Sequence, residues 1–129
     1  MSEQLKDLAQ LRALTDAKFV AVQSEMAALQ QKERAIRAQL SDLVVRRATA
    51  AQRLQGGADA AAAAGADVRW HRWIDQRRKK LNQELSAILS DKAAIRVQLQ
   101  KSFGRNEALR LLGLRLKEIA RLEQSRRQL

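Results

Sequence analysis

Hydrophobic residues recur every three or four positions through the first 54 residues of the chain. Stepping from Leu8 alternately by four and three residues reaches fourteen positions, of which ten are apolar. A seven-residue repeat sustained over this length is typical of a coiled-coil seam, because it keeps one narrow stripe facing a partner helix. The pattern predicts a first helix over about 3–54, roughly 75 Å long. The seam positions are Leu8, Arg12, Thr15, Phe19, Val22, Met26, Leu29, Glu33, Ile36, Leu40, Leu43, Arg47, Ala50 and Leu54.

The repeat stops at a glycine-containing segment in the middle of the chain. Gly56 and Gly57 are adjacent, and Gly65 interrupts the alanine run 60–64, for which Asp59 is a candidate cap. Adjacent glycines destabilise helices and permit turn conformations. The segment predicts a loop over about 55–67, with Asp67 as the N-cap of a second helix over about 68–127.

The second helix carries its own seven-residue repeat. Its seam positions are Ile74, Arg78, Leu81, Leu85, Ile88, Lys92, Ile95 and Leu99. Beyond Leu99 the next apolar set is out of phase by about one residue, which predicts a local stammer or kink at 102–106. That set is Leu109, Leu112, Leu116 and Ile119. Arg126 and Arg127 suit a helix C-terminus.

Two helices of similar length joined by a short break predict an all-α fold, a single antiparallel coiled-coil hairpin over residues 1–129. A loop of about a dozen residues cannot carry the chain back along the first helix for parallel pairing. One continuous helix in a parallel dimer is the competing interpretation, and the central glycines argue against it. In the antiparallel register Glu33 lies close to Lys92 and Arg47 lies close to Asp75, and such polar pairs can fix alignment or simply extend out of a narrow seam.

The charge and composition narrow the class of protein. The net charge is +11, and residues up to Glu33 hold four basic and five acidic side chains, so the excess follows Arg34. This field favours acidic partners, among them nucleic acid, an anionic membrane surface or an acidic protein groove. Cysteine is absent, which fits a reducing compartment. No signal peptide or membrane-length apolar run is evident, and we expect a cytoplasmic protein, at most peripheral at the inner membrane.

The chain offers little to build an active site. His71 is the only histidine and no thiol is present, so neither a nucleophile–base pair nor a metal-ligand cluster can be assembled from the usual residues. No Lys-Ser or Lys-Thr follows the glycines, which excludes a phosphate-binding loop of the P-loop type. We expect no enzymatic activity, no cofactor, no metal and no small-molecule substrate.

Two groups of residues exceed what a plain hairpin requires. Trp70, Trp73 and Arg77 lie at the start of the second helix within a strongly basic stretch, and Trp and Arg are enriched at binding hot spots. Trp70 is expected to close the end of the seam, whereas Trp73 is harder to bury. Near the termini, Leu111, Leu114 and Leu122 lie opposite the seam, and Leu11 and Leu14 flank it in the first helix. A partner, a swapped dimer or a returning segment would cover these surplus leucines. We predict partner binding through Trp70, Trp73, Arg77, Leu11, Leu14, Leu111 and Leu114.

These features together resemble the FliJ/YscO-like family, the coiled-coil stalk proteins of flagellar and related type III export machines. The resemblance rests on length, basic charge, two long helices, a central break and an aromatic and basic start to helix 2 before Leu81-Asn82-Gln83-Glu84-Leu85. It implies a non-enzymatic stalk that links the export ATPase hexamer to the cytoplasmic domain of the export gate and handles export chaperones. The leucines near the termini would enter the ATPase ring, and the tryptophans would meet the gate. The alanine run 60–64 matches no family feature.

Two alternatives remain open. The first is a basic coiled coil that binds nucleic acid, a less favoured partner, or acts as a chaperone through its charge, which predicts a steep salt dependence of binding. The second is a structural spacer, which leaves the surplus surfaces unexplained.

Overall fold

The chain folds into two long α-helices. The computed structural model describes the backbone of residues 2–54 and 60–128, and the side chains of residues 2–52 and 64–128. Helix α1 spans Ser2–Leu54 and helix α2 spans Ala60–Arg127. No strand occurs in these ranges, and the predicted all-α hairpin of two long helices is confirmed. Proline is absent from the sequence, so every residue can supply the backbone N–H that a helix requires.

Contacts divide the chain into two compact units, each built from a segment of both helices. Unit 1 comprises Met1–Ala27 and Ala93–Leu129, and unit 2 comprises Ala28–Lys92. In unit 2, Glu33 contacts Lys92 and Gln39 contacts Arg77, so the partner number falls as the α1 number rises. The two helix segments of unit 2 are therefore antiparallel.

Unit 1 has the same antiparallel arrangement. Leu8 lies against Gly113, and Val22 and Ser102 line one groove, so the pairing again runs in opposite directions along the two helices. The glycine lets the Leu8 side chain approach the backbone of α2, since a Cβ there would lie 3.2 Å from Leu8 Cδ2.

The core of unit 2 is an apolar cluster from both helices. Its buried members are Ile36, Leu43, Leu81 and Ile88, with Leu29, Leu40 and Leu85 packed against them. Ile74 is also fully buried. All of these are leucine or isoleucine at predicted seam positions, so burial of the seam drives the pairing of the helices here.

The predicted seam of α1 is confirmed at nearly every position. From Leu8 to Ala50 each seam residue is buried or half-buried except Arg47, which is exposed. A long guanidinium side chain at the flank of a narrow seam reaches water readily, which explains the exception. The last seam position, Leu54, has a side chain outside the described residues.

The predicted start of the second helix is wrong. Helix α2 already begins at Ala60, so Gly65 and Asp67 lie inside it and Asp67 is not its N-cap. Alanine has the highest helix propensity, and one interior glycine costs only about 1 kcal/mol, so the run 60–64 is helical despite Gly65. Residues 55–59, including Gly56, Gly57 and the candidate cap Asp59, lie outside the described residues.

The predicted change of register after Leu99 is also wrong. Apart from Glu107, the residues of α2 that turn inward beyond Leu99 keep the same alternation of three and four, and the helix is continuous through 102–106. These inward positions are Ser102, Asn106, Leu109, Gly113, Leu116 and Ala120. Several seam positions in this part of α2 therefore hold small or polar residues rather than large apolar ones. Leu112 and Ile119, which were predicted to lie on the seam, are exposed.

One of the two predicted polar pairs forms. Lys92 Nζ donates to Glu33 Oε1 at 2.9 Å, with both side chains largely shielded from water. Arg47 and Asp75 are both exposed, and no ion pair joins them in the described part of the chain. Arg78, a predicted seam residue of α2, is exposed. The adjacent Arg77 is half-buried instead, and it donates a hydrogen bond to Gln39 Oε1 at 3.1 Å.

Candidate partner-binding surfaces

The tryptophan surface of unit 2 comprises Trp70, Trp73 and Arg77. The two indole rings stack, with centroids 5.3 Å apart and planes inclined by 18°. Residues three apart on a helix are neighbours on one side of it, which permits this stacking. Trp70 is half-buried, as its place beside the seam predicts, whereas Trp73 remains 45% exposed. Trp73 therefore lies on the helix surface, stacked on Trp70.

Polar groups around the tryptophans are held within the unit. His71 Nε2 lies 3.1 Å from Asp67 Oδ1, one helical turn earlier. Trp70 Nε1 and His71 Nδ1 are buried and have no hydrogen-bond partner among the described residues. The Arg77 guanidinium is fixed by Gln39 of the opposite helix. His71 therefore has a contact on its own helix.

The leucine surface of unit 1 comprises Leu11, Leu14, Leu111 and Leu114. All four are exposed, from 47% at Leu11 to 70% at Leu14, with 55% at Leu111. Each lies off the seam, so pairing of the two helices leaves it in water. Single exposed leucines are common on protein surfaces, and several within one unit make these residues candidates for a partner contact.

The leucine surface is wider than predicted. Leu112, Ile119 and Leu122 are exposed in the same unit, since Gly113 and Ala120 rather than Leu112 and Ile119 turn inward. Leu122 had been placed opposite the seam, and it is exposed as that position requires. Through residues 109–122 the helix α2 carries large apolar side chains on nearly every side.

A second set of exposed apolar residues lies in unit 2 and was missed from the sequence. Val44 and Val45 are about 60% exposed and Val68 is exposed as well. Val45, Ala50, Ala66 and Trp70 contribute to a cleft of about 500 Å³ between the two helix segments. Valine is a weak helix former because of its branched Cβ, so two adjacent exposed valines were a signal that could have been read.

Two ion pairs lie on the exposed surface of α2 in unit 1. Arg110 pairs with Glu107 at 3.1 Å and Arg121 pairs with Glu118 at 2.7 Å. Hydrogen bonds from the arginines hold the pKa of each of these glutamates below its ordinary value, and they raise the pKa of Arg110 and Arg121. These pairs are exposed, so they contribute little to stability.

The described residues therefore offer apolar and cationic surfaces for binding. No group of three or more His, Cys, Asp or Glu side chains that could hold a metal occurs within residues 2–52 and 64–128. None of the described helical segments is long and apolar enough to cross a membrane. The fold and surfaces define a basic, all-α helical hairpin with two apolar binding candidates. Comparisons with protein-family models, curated proteins and solved structures found no match to this chain.

Proposed function

We propose that this chain is a non-enzymatic stalk of a type III protein export apparatus, flagellar or virulence-type. It would bind the export ATPase hexamer through the leucine surface of unit 1 and the cytoplasmic domain of the export gate through the tryptophan surface of unit 2, with export chaperones as further partners. In this role it acts in the cytoplasm, at most peripherally at the inner membrane. The proposal combines the sequence resemblance with the surfaces that helix pairing leaves uncovered.

The observation that carries the proposal is the exposure of the leucine surface. Two paired helices bury one stripe each, and unit 1 does so with Leu8, Leu109 and Leu116 while leaving further leucines in water. Exposed leucines on a charged helix pair are stabilised when a partner covers them. The resemblance implies such a partner, since the stalk proteins of this family sit in the central pore of the hexameric export ATPase.

A charge substitution at Leu114 tests the ATPase contact. Leu114→Glu should weaken binding to the purified export ATPase at least tenfold, about 1.4 kcal/mol, and abolish stimulation of ATP hydrolysis, since a carboxylate would have to be desolvated at the contact. Val97→Glu is the matched control, because Val97 is exposed to a similar extent on the same helix and in the same unit. Unchanged circular dichroism of both variants would establish that each still folds.

The outcomes separate the parts of the proposal. Equal binding by Leu114→Glu and Val97→Glu would refute the leucine surface as the ATPase contact. Failure of the wild-type chain to bind an export ATPase at all would refute the stalk function. Normal gate binding by a Trp73→Ala, Arg77→Glu double variant would refute the role of the tryptophan surface.

Nucleic-acid binding is the second candidate, and the exposed cations of α2 favour it. Arg72, Lys79 and Lys80 are exposed and form no ion pair among the described residues. Phosphate contacts release counterions, so affinity for DNA or RNA would fall steeply with salt. A binding constant for duplex DNA that changes little between low and moderate salt would remove this candidate.

A further inference from the structure

A cationic groove in unit 1 is lined by none of the residues of the leucine or tryptophan surfaces. It has a volume of about 310 Å³ and runs between the two helix segments. Its lining holds three cations and no acid, together with one amide and one hydroxyl group. The lining residues are Lys18, Val22, Gln98, Lys101, Ser102 and Arg105.

The cations converge from both helices. Lys18 immediately precedes the seam residue Phe19 in α1, and Arg105 immediately precedes the seam residue Asn106 in α2. In an antiparallel pair these flanking positions face the same side of the seam, where opposite charges usually meet. Lys101 lies one helical turn from Arg105, and like charges at that spacing repel. The arrangement places three positive charges around one groove.

Some cations elsewhere in the molecule have acidic or polar neighbours. On the equivalent flank of unit 2, Lys32 shares a groove with Glu84, and Arg77 donates to Gln39. On α2 in unit 1, Arg110 and Arg121 each pair with a glutamate. Lys18, Lys101 and Arg105 form no ion pair among the residues that the structure describes, and no acidic residue lines their groove.

We propose that this groove binds a phosphate group. A dianion would remove the mutual repulsion of Lys18, Lys101 and Arg105, and the Gln98 amide and the Ser102 hydroxyl could donate further hydrogen bonds to its oxygens. Arg105 can offer two parallel N–H groups to one phosphate, which a lysine cannot. The volume leaves room for more than one phosphate, so both free phosphate and the polyphosphate chain of a nucleotide fit this chemistry. The site is independent of the stalk function.

Thermal unfolding of the full chain tests the proposal. At low ionic strength and pH 7.5, millimolar inorganic phosphate should raise Tm saturably, by about 5 °C at ten times its dissociation constant, relative to chloride at the same ionic strength. Low concentrations are needed because phosphate at high concentration stabilises most proteins by exclusion from their surface. Line broadening of the phosphorus-31 resonance measures the same binding directly.

A matched pair of double variants provides the control. Lys18→Gln with Arg105→Gln removes two groove charges, and Arg115→Gln with Lys117→Gln removes two exposed charges of the same unit outside the groove. We expect the groove variant to lose the phosphate-dependent rise in Tm and the line broadening, while the control variant keeps both. Equal responses of the two variants, or a wild-type response no larger than that to chloride, would overturn the proposal.

Pyrophosphate distinguishes the two sources of the ligand. Saturation at a lower concentration than inorganic phosphate, again lost in the Lys18→Gln, Arg105→Gln variant, would assign the groove to a polyphosphate chain. Saturation at the same or a higher concentration would assign it to a single phosphate group. Either result supports the site, whereas a pyrophosphate response retained by the groove variant would count against it.

Discussion

Truncation of Leu81 measures how much the seam of unit 2 contributes to stability. Leu81 is 1% exposed and belongs to the core cluster with Ile36, Leu43 and Ile88. Leu81→Ala removes three carbons, worth about 0.8 kcal/mol each on burial, or about 2.4 kcal/mol together. The cavity left between the helices adds to this loss, because a paired seam relaxes only partly. We expect the free energy of unfolding to fall by about 3 kcal/mol.

Leu89→Ala is the matched control for this measurement. Leu89 lies on the same helix in the same unit but is 42% exposed, so its truncation creates no enclosed cavity. We expect a loss of less than about 1 kcal/mol, since much of the side chain already contacts water. The helix propensities of leucine and alanine enter both substitutions equally and cancel in the comparison.

Urea unfolding followed by two probes supplies the assay. Circular dichroism at 222 nm reports both units, whereas tryptophan fluorescence reports unit 2, which holds Trp70 and Trp73. Coincident curves justify a two-state analysis of the free energies. A loss at Leu89 equal to that at Leu81 would refute the assignment of the seam, and so would a loss of less than about 1 kcal/mol at Leu81.

The remaining predictions concern two glycines and the Glu33–Lys92 ion pair. Gly104→Ala should increase the free energy of unfolding by about 1 kcal/mol and so raise Tm, because Gly104 is helical and nothing lies within 4 Å of an added Cβ. Gly113→Ala should raise Tm less or lower it, because its Cβ would lie 3.2 Å from Leu8 Cδ2; an equal gain at the two glycines would contradict the close approach. Glu33→Lys and Lys92→Glu should each lower Tm, and the double variant should recover part of the loss if the 2.9 Å contact forms. The hydrogen bond from Lys92 lowers the pKa of Glu33 from 4.5, so the ion pair stabilises the fold above about pH 4.5 and stops doing so as the pH falls through the lowered pKa of the folded state. The Tm values of wild type and Glu33→Gln should therefore converge on acidification from pH 6 to 3. A constant difference between the two Tm values would exclude this linkage.

The sequence was sufficient to predict the fold class and most of the seam. The apolar period identified α1 from Leu8 to Ala50 and the core of unit 2, because large aliphatic residues occupy those positions. Antiparallel pairing and the Glu33–Lys92 contact followed from the approximate centre of the chain. Periodicity succeeds where burial of apolar surface alone decides which residues turn inward.

The predictions that were wrong concern small residues in α2. Gly65 predicts a helix break, but the neighbouring alanines favour a helix strongly enough to include it. Beyond Leu99, the large residues Leu112 and Ile119 were placed on the seam, whereas Gly113 and Ala120 occupy it. Apolar size alone cannot reveal that a close backbone approach favours glycine over leucine.

The candidate surfaces were predicted unevenly. All four residues of the leucine surface are exposed, and Trp73 is exposed as its position off the seam suggested. The cationic groove was not found, because it needs the pairing of Lys18 with residues more than eighty positions later in the chain. Helix periodicity describes one helix at a time and does not report which charges meet across two.

The unbroken seven-residue period has a consequence for folding. When both helices of a hairpin repeat every seven residues, a shift of one helix by seven residues places every seam residue opposite another seam position. Misaligned pairings are therefore close competitors of the native one. Gly113 and Lys92 disfavour these misaligned pairings. After such a slip Leu8 would face Asn106 or Ala120 instead of Gly113, and Glu33 would face Leu85 or Leu99 instead of Lys92. These few non-aliphatic seam residues therefore specify the register of the two helices. Variants lacking them should populate misaligned intermediates that refold slowly to the native pairing.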